Sequence, residues 1–371
     1  DTLGSKSTAI GMGTLATQNF TTATDTFNTA VGYFAGVSLT TGLNNTLIGA
    51  AAGDALTDAD FNVAIGSSVL SADTLGSKTI AIGRFALNTQ NFTTATATFN
   101  VAVGHGAGSS VTTGVQNTII GSLAGDALTD ADNNVAVGTL ALSTETSNNG
   151  NTAVGAEALK TQNVGGGGDA RNTAVGFAAG TSVTSGVNNT IIGALAGDAL
   201  TDADFNVAVG HLALSADTLG SRSVAVGYGA LDAQNFTTAT NSYNTAVGNN
   251  AGGAVTTGTQ NTILGGLSGV ALTTGTNNVL IGYSAGSSSS VDLTTGSNNI
   301  VIGGNRPSLP AGELHSILIG TVANIAGKGN NTGFISPNGG AVYQGNNSTA
   351  WSQTSDRRLK KNIVNSTIGL S

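Results

Sequence analysis

Apolar residues in this chain arrive in short bursts with a fixed punctuation. A phrase of Asn, any residue, a small or apolar residue, Val, Ile or Leu, and then Gly recurs in 18 units between Gly11 and Gly320. Successive glycines are 21, 17, 17 and 17 residues apart, so the whole pattern repeats every 72 residues. After Gly282 the order slips to 21 and then 17. The hexapeptide Asp1–Lys6 returns as Asp73–Lys78 and, with one change, as Asp217–Arg222.

A unit with so few apolar side chains cannot fold alone and must hide them against its neighbours. It is also too short for a two-helix repeat, and its Thr, Val, Ile and Gly favour strands. The expected fold is therefore all-β: a parallel β-solenoid, or β-roll, of about 18 short coils. Each coil should hold a strand, a glycine corner, a second short strand and a loop. Side chains alternate across a strand. In Ala30-Val31-Gly32, Val31 is expected to fill the interior and Ala30 to lie on the other face. Gly32 is expected at a corner of positive φ. Four residues before the glycine, Asn stands in 14 of the 18 units. Stacked coil on coil, these amides should form a ladder that satisfies backbone groups at a turn.

The 21-residue steps lengthen one loop. Gln18–Thr24, Gln90–Thr96 and Gln234–Thr240 are alike, while Gln162-Asn163-Val164 leads into four glycines, Gly165–Gly168. These loops should project once every four coils, about 19 Å at the usual strand spacing.

Three sets of acids recur in register: Asp54, Asp58 and Asp60; Asp126, Asp130 and Asp132; Asp198, Asp202 and Asp204. Asp-x-Asp-x-Asn opens many calcium loops. The glycine and distal Glu of an EF-hand are missing, so a turn role is expected and no metal or other cofactor. His105, His211 and His315 are scattered. Gly104–Gly108 lacks the following helix of a phosphate-binding loop.

Composition narrows the class. Charged residues are 9% and aromatics 5%, with 55 Gly and no Cys. Ordinary soluble domains are about 25% charged. Richness in Val, Ile and Thr, with strict periodicity, argues against disorder. The formal charge is −8, and the only basic cluster is Arg357, Arg358, Lys360 and Lys361. That excludes a basic nucleic-acid face along the body. No apolar run has the roughly 20 residues that span a bilayer, so membrane insertion is not expected. The chain starts at Asp1 and reads as an excerpt of something longer.

The repeated Asn-Thr-Ala-Val-Gly phrase, over about residues 7–322, resembles the head repeats of trimeric autotransporter adhesins. That resemblance implies a parallel β-roll in a three-fold assembly of identical chains. A Gly/Asn-rich irregular cap is expected over 323–355. Behind it, Ser355-Asp356-Arg357-Arg358-Leu359-Lys360 resembles the entry to the endosialidase-type intramolecular chaperone of phage tail fibres and tail spikes. Residues 356–371 would be a stub of that domain. The resemblance implies self-cleavage between Ser355 and Asp356, with Ser355 as nucleophile and Lys360 as base. The expected function is the shaft of a virion tail fibre, extracellular and not an enzyme beyond one such cut. Expected partners are its own copies, other fibre or baseplate proteins, and a glycan or protein receptor on the host surface. A bacterial surface adhesin or appendage, and a tail-spike polysaccharide depolymerase, are the alternatives.

Overall fold

A computed structural model describes residues 3–353, except 289–290, 305, 322, 338–340 and 346–348. There is no helix among the described residues, and all parallel pairing runs coil to coil. The chain forms two compact units, residues 1–244 and 245–371.

In the first unit, thirteen three-residue strands from Thr8–Ile10 to Val224–Val226 stack in parallel. Each residue pairs with its equivalent one repeat away, as Ala30 does with Leu47 and Ala64 with Ala81. Hydrogen bonds from coil to coil continue through the turns: Ala51 N–H donates to the Tyr33 carbonyl and Ser68 N–H to Ala50. The backbone is thus satisfied around the whole coil, not along one sheet alone. Gly32 turns the corner with φ +139°, and a Cβ there would collide with the Gly49 carbonyl. Among the described residues no second strand follows the glycine corner directly; the unit's other strands are two-residue pairs placed later in the coil, Gly4–Ser5 with Thr24–Asp25, Gly76–Ser77 with Thr96–Ala97 and Gly220–Ser221 with Thr240–Asn241. Turns follow the corner instead, with positive φ at both Phe34 and Gly36, which breaks the extended geometry a strand needs.

The facing of the strand is also the reverse of the expectation. Ala30 is fully buried and Val31 is only half-buried; the middle residue of the triplet is buried in every strand of the stack after the exposed first one, Thr8–Ile10. The coil is so thin that alanine fills most of its strand side, and the β-branched side chains are turned out.

The 72-residue register is a packing rule. Where the inward strand residue is large (Leu47, Ile119, Ile191), glycines stand across the core. A Cβ at Gly36 would lie 2.7 Å from Leu47 Cδ1, and one at Gly53 would lie 2.9 Å from Leu47 Cδ2. Where the strand residue is alanine in the next two coils (Ala64, Ala81), the same slot holds buried Leu70 and Leu87. Large faces small, so volume stays constant along the stack.

In the second unit, parallel strands run from Thr245–Val247 through Thr262–Leu264, Val279–Ile281 and Ile300–Ile302 to Ile317–Gly320. The stack continues one strand into the segment expected to be irregular, with Gly333–Ser336 paired in parallel to Ile317–Gly320. Val342–Gln344 and Ser352–Gln353 then pair antiparallel. This reversal covers the open edge of the last parallel strand. Inward residues grow along the unit, from Ala246 and Ile263 to Leu318 and Phe334.

Candidate functional site

The asparagine ladder lies entirely inside. Asn28 Oδ1 accepts from Asn45 N–H at 2.9 Å, and Asn45 Oδ1 from Asn62 N–H at 2.9 Å. Nδ2 atoms along the ladder donate to turn carbonyls, Asn28 to Gly42 at 2.8 Å and Asn45 to Ala59 at 2.7 Å, whereas that of Asn151 is buried without a partner. The row is structural, as its spacing implies.

Beside the ladder, at lengthened loops that carry Gln90, Gln162 and Gln234, runs a relay that the sequence reading missed. Gln90, from a lengthened loop, donates to Asp73 Oδ2 at 2.6 Å and to Thr79 Oγ1 at 3.2 Å, and accepts from Asn100 Nδ2 at 2.9 Å. The other Asp73 oxygen accepts from Gly76 and Phe92 N–H at 3.1 Å. Asp217, Gln234, Ser223 and Asn244 repeat the arrangement. In the divergent copy Glu145 replaces Asp, with Gln162 donating to it at 3.1 Å. Burial pushes the Asp73 and Asp217 carboxyls up, outweighing the bonds from Gln90 or Gln234 and from the backbone that lower them. The relay pins the root of each long loop. Phe20, Phe92 and Phe236 tuck inward beside it, and the threonines beyond them are what the loop exposes. The only sequence signal was the return of Asp-Thr-Leu-Gly-Ser and of Gln every 72 residues.

The recurring acids do not converge. Asp60, Asp132 and Asp204 accept from the backbone N–H of Leu43, Val115 and Val187 in the preceding coil, at 2.7–2.8 Å. Their role is a turn bond, but between coils and not within one. Asp58 accepts from the Thr41 hydroxyl at 2.7 Å. Asp54, Asp126 and Asp198 are partly buried, each with one oxygen lacking a hydrogen bond, and burial raises their carboxyls. Among the described residues no three His, Cys, Asp or Glu are grouped to hold a metal. His105 stands edge-on to Phe85, and His211 stacks on Tyr228 with centroids 5.6 Å apart. His105 and Phe85 line a depression of about 260 Å³ with Asn88, Gly106, Ser109 and Leu123. It holds no acid–base pair. Ser355, Asp356 and Lys360 lie outside the described residues.

The outer face of the sheet in the first unit is a distinctive surface. Both outward positions of every strand from Thr8–Ile10 to Val224–Val226 hold Thr, Val or Ile, and the second is always Val or Ile. Neighbouring rows stand one strand spacing apart, about 4.8 Å. Ile10, Ile48, Ile120 and Ile192 are among the exposed large apolar residues. This is a continuous uncharged strip of β-branched side chains.

No protein-family model, curated protein or solved structure matches the chain.

Proposed function

We propose that this chain is the shaft of a homotrimeric attachment fibre of the phage tail-fibre kind. It would act outside the cell, binding a host-surface receptor, and would carry no enzymatic activity beyond a single self-cleavage. The observation that supports this is the outward Thr/Val/Ile strip. The solvated face of a sheet normally carries polar or charged residues. Here the outer face carries only Thr, Val and Ile and no charge, and a contiguous exposed strip of that kind marks an interaction surface. Three identical strips closing around one axis cover each other, and a thin solenoid gains the shared core it lacks alone. The basic tail supports the phage assignment through its likeness to the chaperone entry.

Native mass spectrometry of the purified protein tests both parts. Three times the 36.2 kDa chain mass is expected; a compact monomer would end the fibre reading. In protein expressed with whatever sequence follows naturally, a chain ending at Ser355 is expected. A chain continuing past Lys360 removes the Ser355–Lys360 dyad from the proposal and leaves a purely structural fibre.

A further inference from the structure

The residue just before each ladder position takes left-handed φ in every coil. Across the fourteen such slots of the first unit, from Lys6 to Tyr243, φ lies between 51° and 70°. Glycine and asparagine hold this conformation at least cost; bulky side chains there are outliers. The second unit keeps closer to that rule, with Asn277, Asn298 and Asn331, and with His315 and Gln260 in the other two slots. The first unit departs from it. Phe27, Phe61, Phe99, Phe205 and Tyr243 occupy five slots, with each residue 47–54% exposed. Lys6, Lys78, Arg171 and Arg222 occupy four more. A ring here costs the fold twice, in backbone strain and in exposed apolar area. An amide serves the same backbone in other coils. Strain that the fold does not require points to a partner outside it.

The order of the slots describes that partner. Phe27, Phe61 and Phe99 stand two coils apart, about 10 Å. Between them lie Asn44 and then Lys78. Phe205 and Tyr243 are also two coils apart, with Arg222 between. Cations and rings are paired: Lys78 Nζ lies 5.2 Å from the Phe99 centroid and Arg222 Cζ lies 4.7 Å from that of Phe205. Neither Lys78 nor Arg222 forms an ion pair among the described residues, so both keep donors free. A protein interface gathers its apolar residues at the centre and depletes Lys there. Alternation of ring and polar head, strict from Lys6 to Phe99 and again from Asn188 to Tyr243, suits a different ligand. Each sugar of an extended pyranose chain advances by about one coil height. It offers a C–H face to a ring and hydroxyls or a carboxylate to an amide or cation.

We infer that the slots Lys6–Phe99 and Arg171–Tyr243 form two binding tracks for an extended acidic polysaccharide lying along the solenoid. The inference rests on the attachment reading above and gives that reading its ligand class and place. The test is electrophoresis of the intact protein through gels containing alginate or, as a neutral 1,4-linked comparison, hydroxyethyl cellulose. Alginate should retard the wild type, and the cellulose ether much less. Phe61→Asn/Phe99→Asn places in two slots a residue that Asn44 and Asn133 already show to be compatible with the fold. It should weaken retardation by at least roughly tenfold, as the loss of stacked rings does elsewhere. Lys78→Gln should remove the preference for alginate. No retardation of the wild type, or equal retardation of wild type and double variant, overturns the inference. Equal retardation by both polymers overturns its acidic part. Native mass is read on the same samples. A trimer that ignores alginate leaves the fibre standing without this site. A double variant that falls to monomer makes the slots a contact between copies, and the tracks are then wrong.

Discussion

Asn62 illustrates what one residue does in this fold. Its Oδ1 accepts from Thr79 N–H at 2.9 Å and its Nδ2 donates to the Gly76 carbonyl at 2.9 Å, both fully buried. Asn62→Ala strands one donor and one acceptor. The expected loss is about 2–4 kcal/mol, read from the midpoint of urea unfolding. An unchanged midpoint would mean water reaches these groups. Asp73 and Asp217 act through charge. Their raised carboxyls bind protons more tightly folded than unfolded. Their stabilising contribution is therefore complete below the ordinary Asp value of 3.8 and is lost as pH rises through the raised one. Stability should fall across that window. The double variant Asp73→Asn/Asp217→Asn, which cannot ionise there, should flatten the slope; a slope identical to wild type would show that neither carboxyl titrates in the fold. The ladder was legible because its Asn recur at one fixed offset. The relay was not, because Asp73 and Gln90 lie 17 residues apart and meet only when coils stack. The positive-φ slot was equally hidden, since Phe61 and Lys78 share nothing as side chains, only a backbone conformation.

At the scale of the coil, the governing quantity is volume. Leu47 fills the space left by Gly36 and Gly53, and the next coils reverse the sizes. Leu47→Ala opens a cavity worth about 2–5 kcal/mol. Gly53→Leu alone overpacks against Leu47 and Leu56 and should cost about 1–3 kcal/mol. Backbone strain adds to that cost, since Gly53 has φ +56°, but the fold tolerates it where Leu70 holds the equivalent slot at +49°. Together the two changes give this coil the Ala64–Leu70 arrangement of its neighbour. The double variant should lose less than the two singles combined, by at least about 1 kcal/mol. Strict additivity in denaturant titrations would show that the two positions do not share one space. Coil length, the glycine corner and the parallel stack could all be read from spacing. The facing could not. The rule that the larger apolar residue goes inside assumes a core wide enough to hold it. Here the buried Asn28 sets the alternation, so Ala30, two residues on, also faces inward and Val31 faces out. No strand follows the corner directly because Phe34 takes positive φ, which no propensity scale for phenylalanine anticipates.

For the molecule as a whole, stacking leaves an imbalance. Each coil of the first unit satisfies its backbone through the coils beside it and buries an alanine-rich interior, yet turns two β-branched residues outward. Apolar burial contributes about 25 cal/mol per Å², so a core lined by alanine yields little per coil. The missing burial lies on the outer strip, where a second and third copy would supply it. Ile120 separates this account from one in which the strip merely reflects strand propensity. It sits near the middle of the stack, paired in register with Val103 and Val137, and is 39% exposed in the single chain. Within one chain, Ile120→Lys can reach water and should cost little, as surface changes do. Across a closed three-fold interface it would bury three like charges together, which is strongly unfavourable. The expected result is a β-rich circular dichroism spectrum like that of the wild type with the native mass reduced to one chain. Glu at position 120 should behave the same way, and Thr, which fills the neighbouring outward position at Thr118, should leave the trimer intact. If Ile120→Lys remained trimeric, the strip would face solvent in the assembly and the copies would have to meet through another side of the coil.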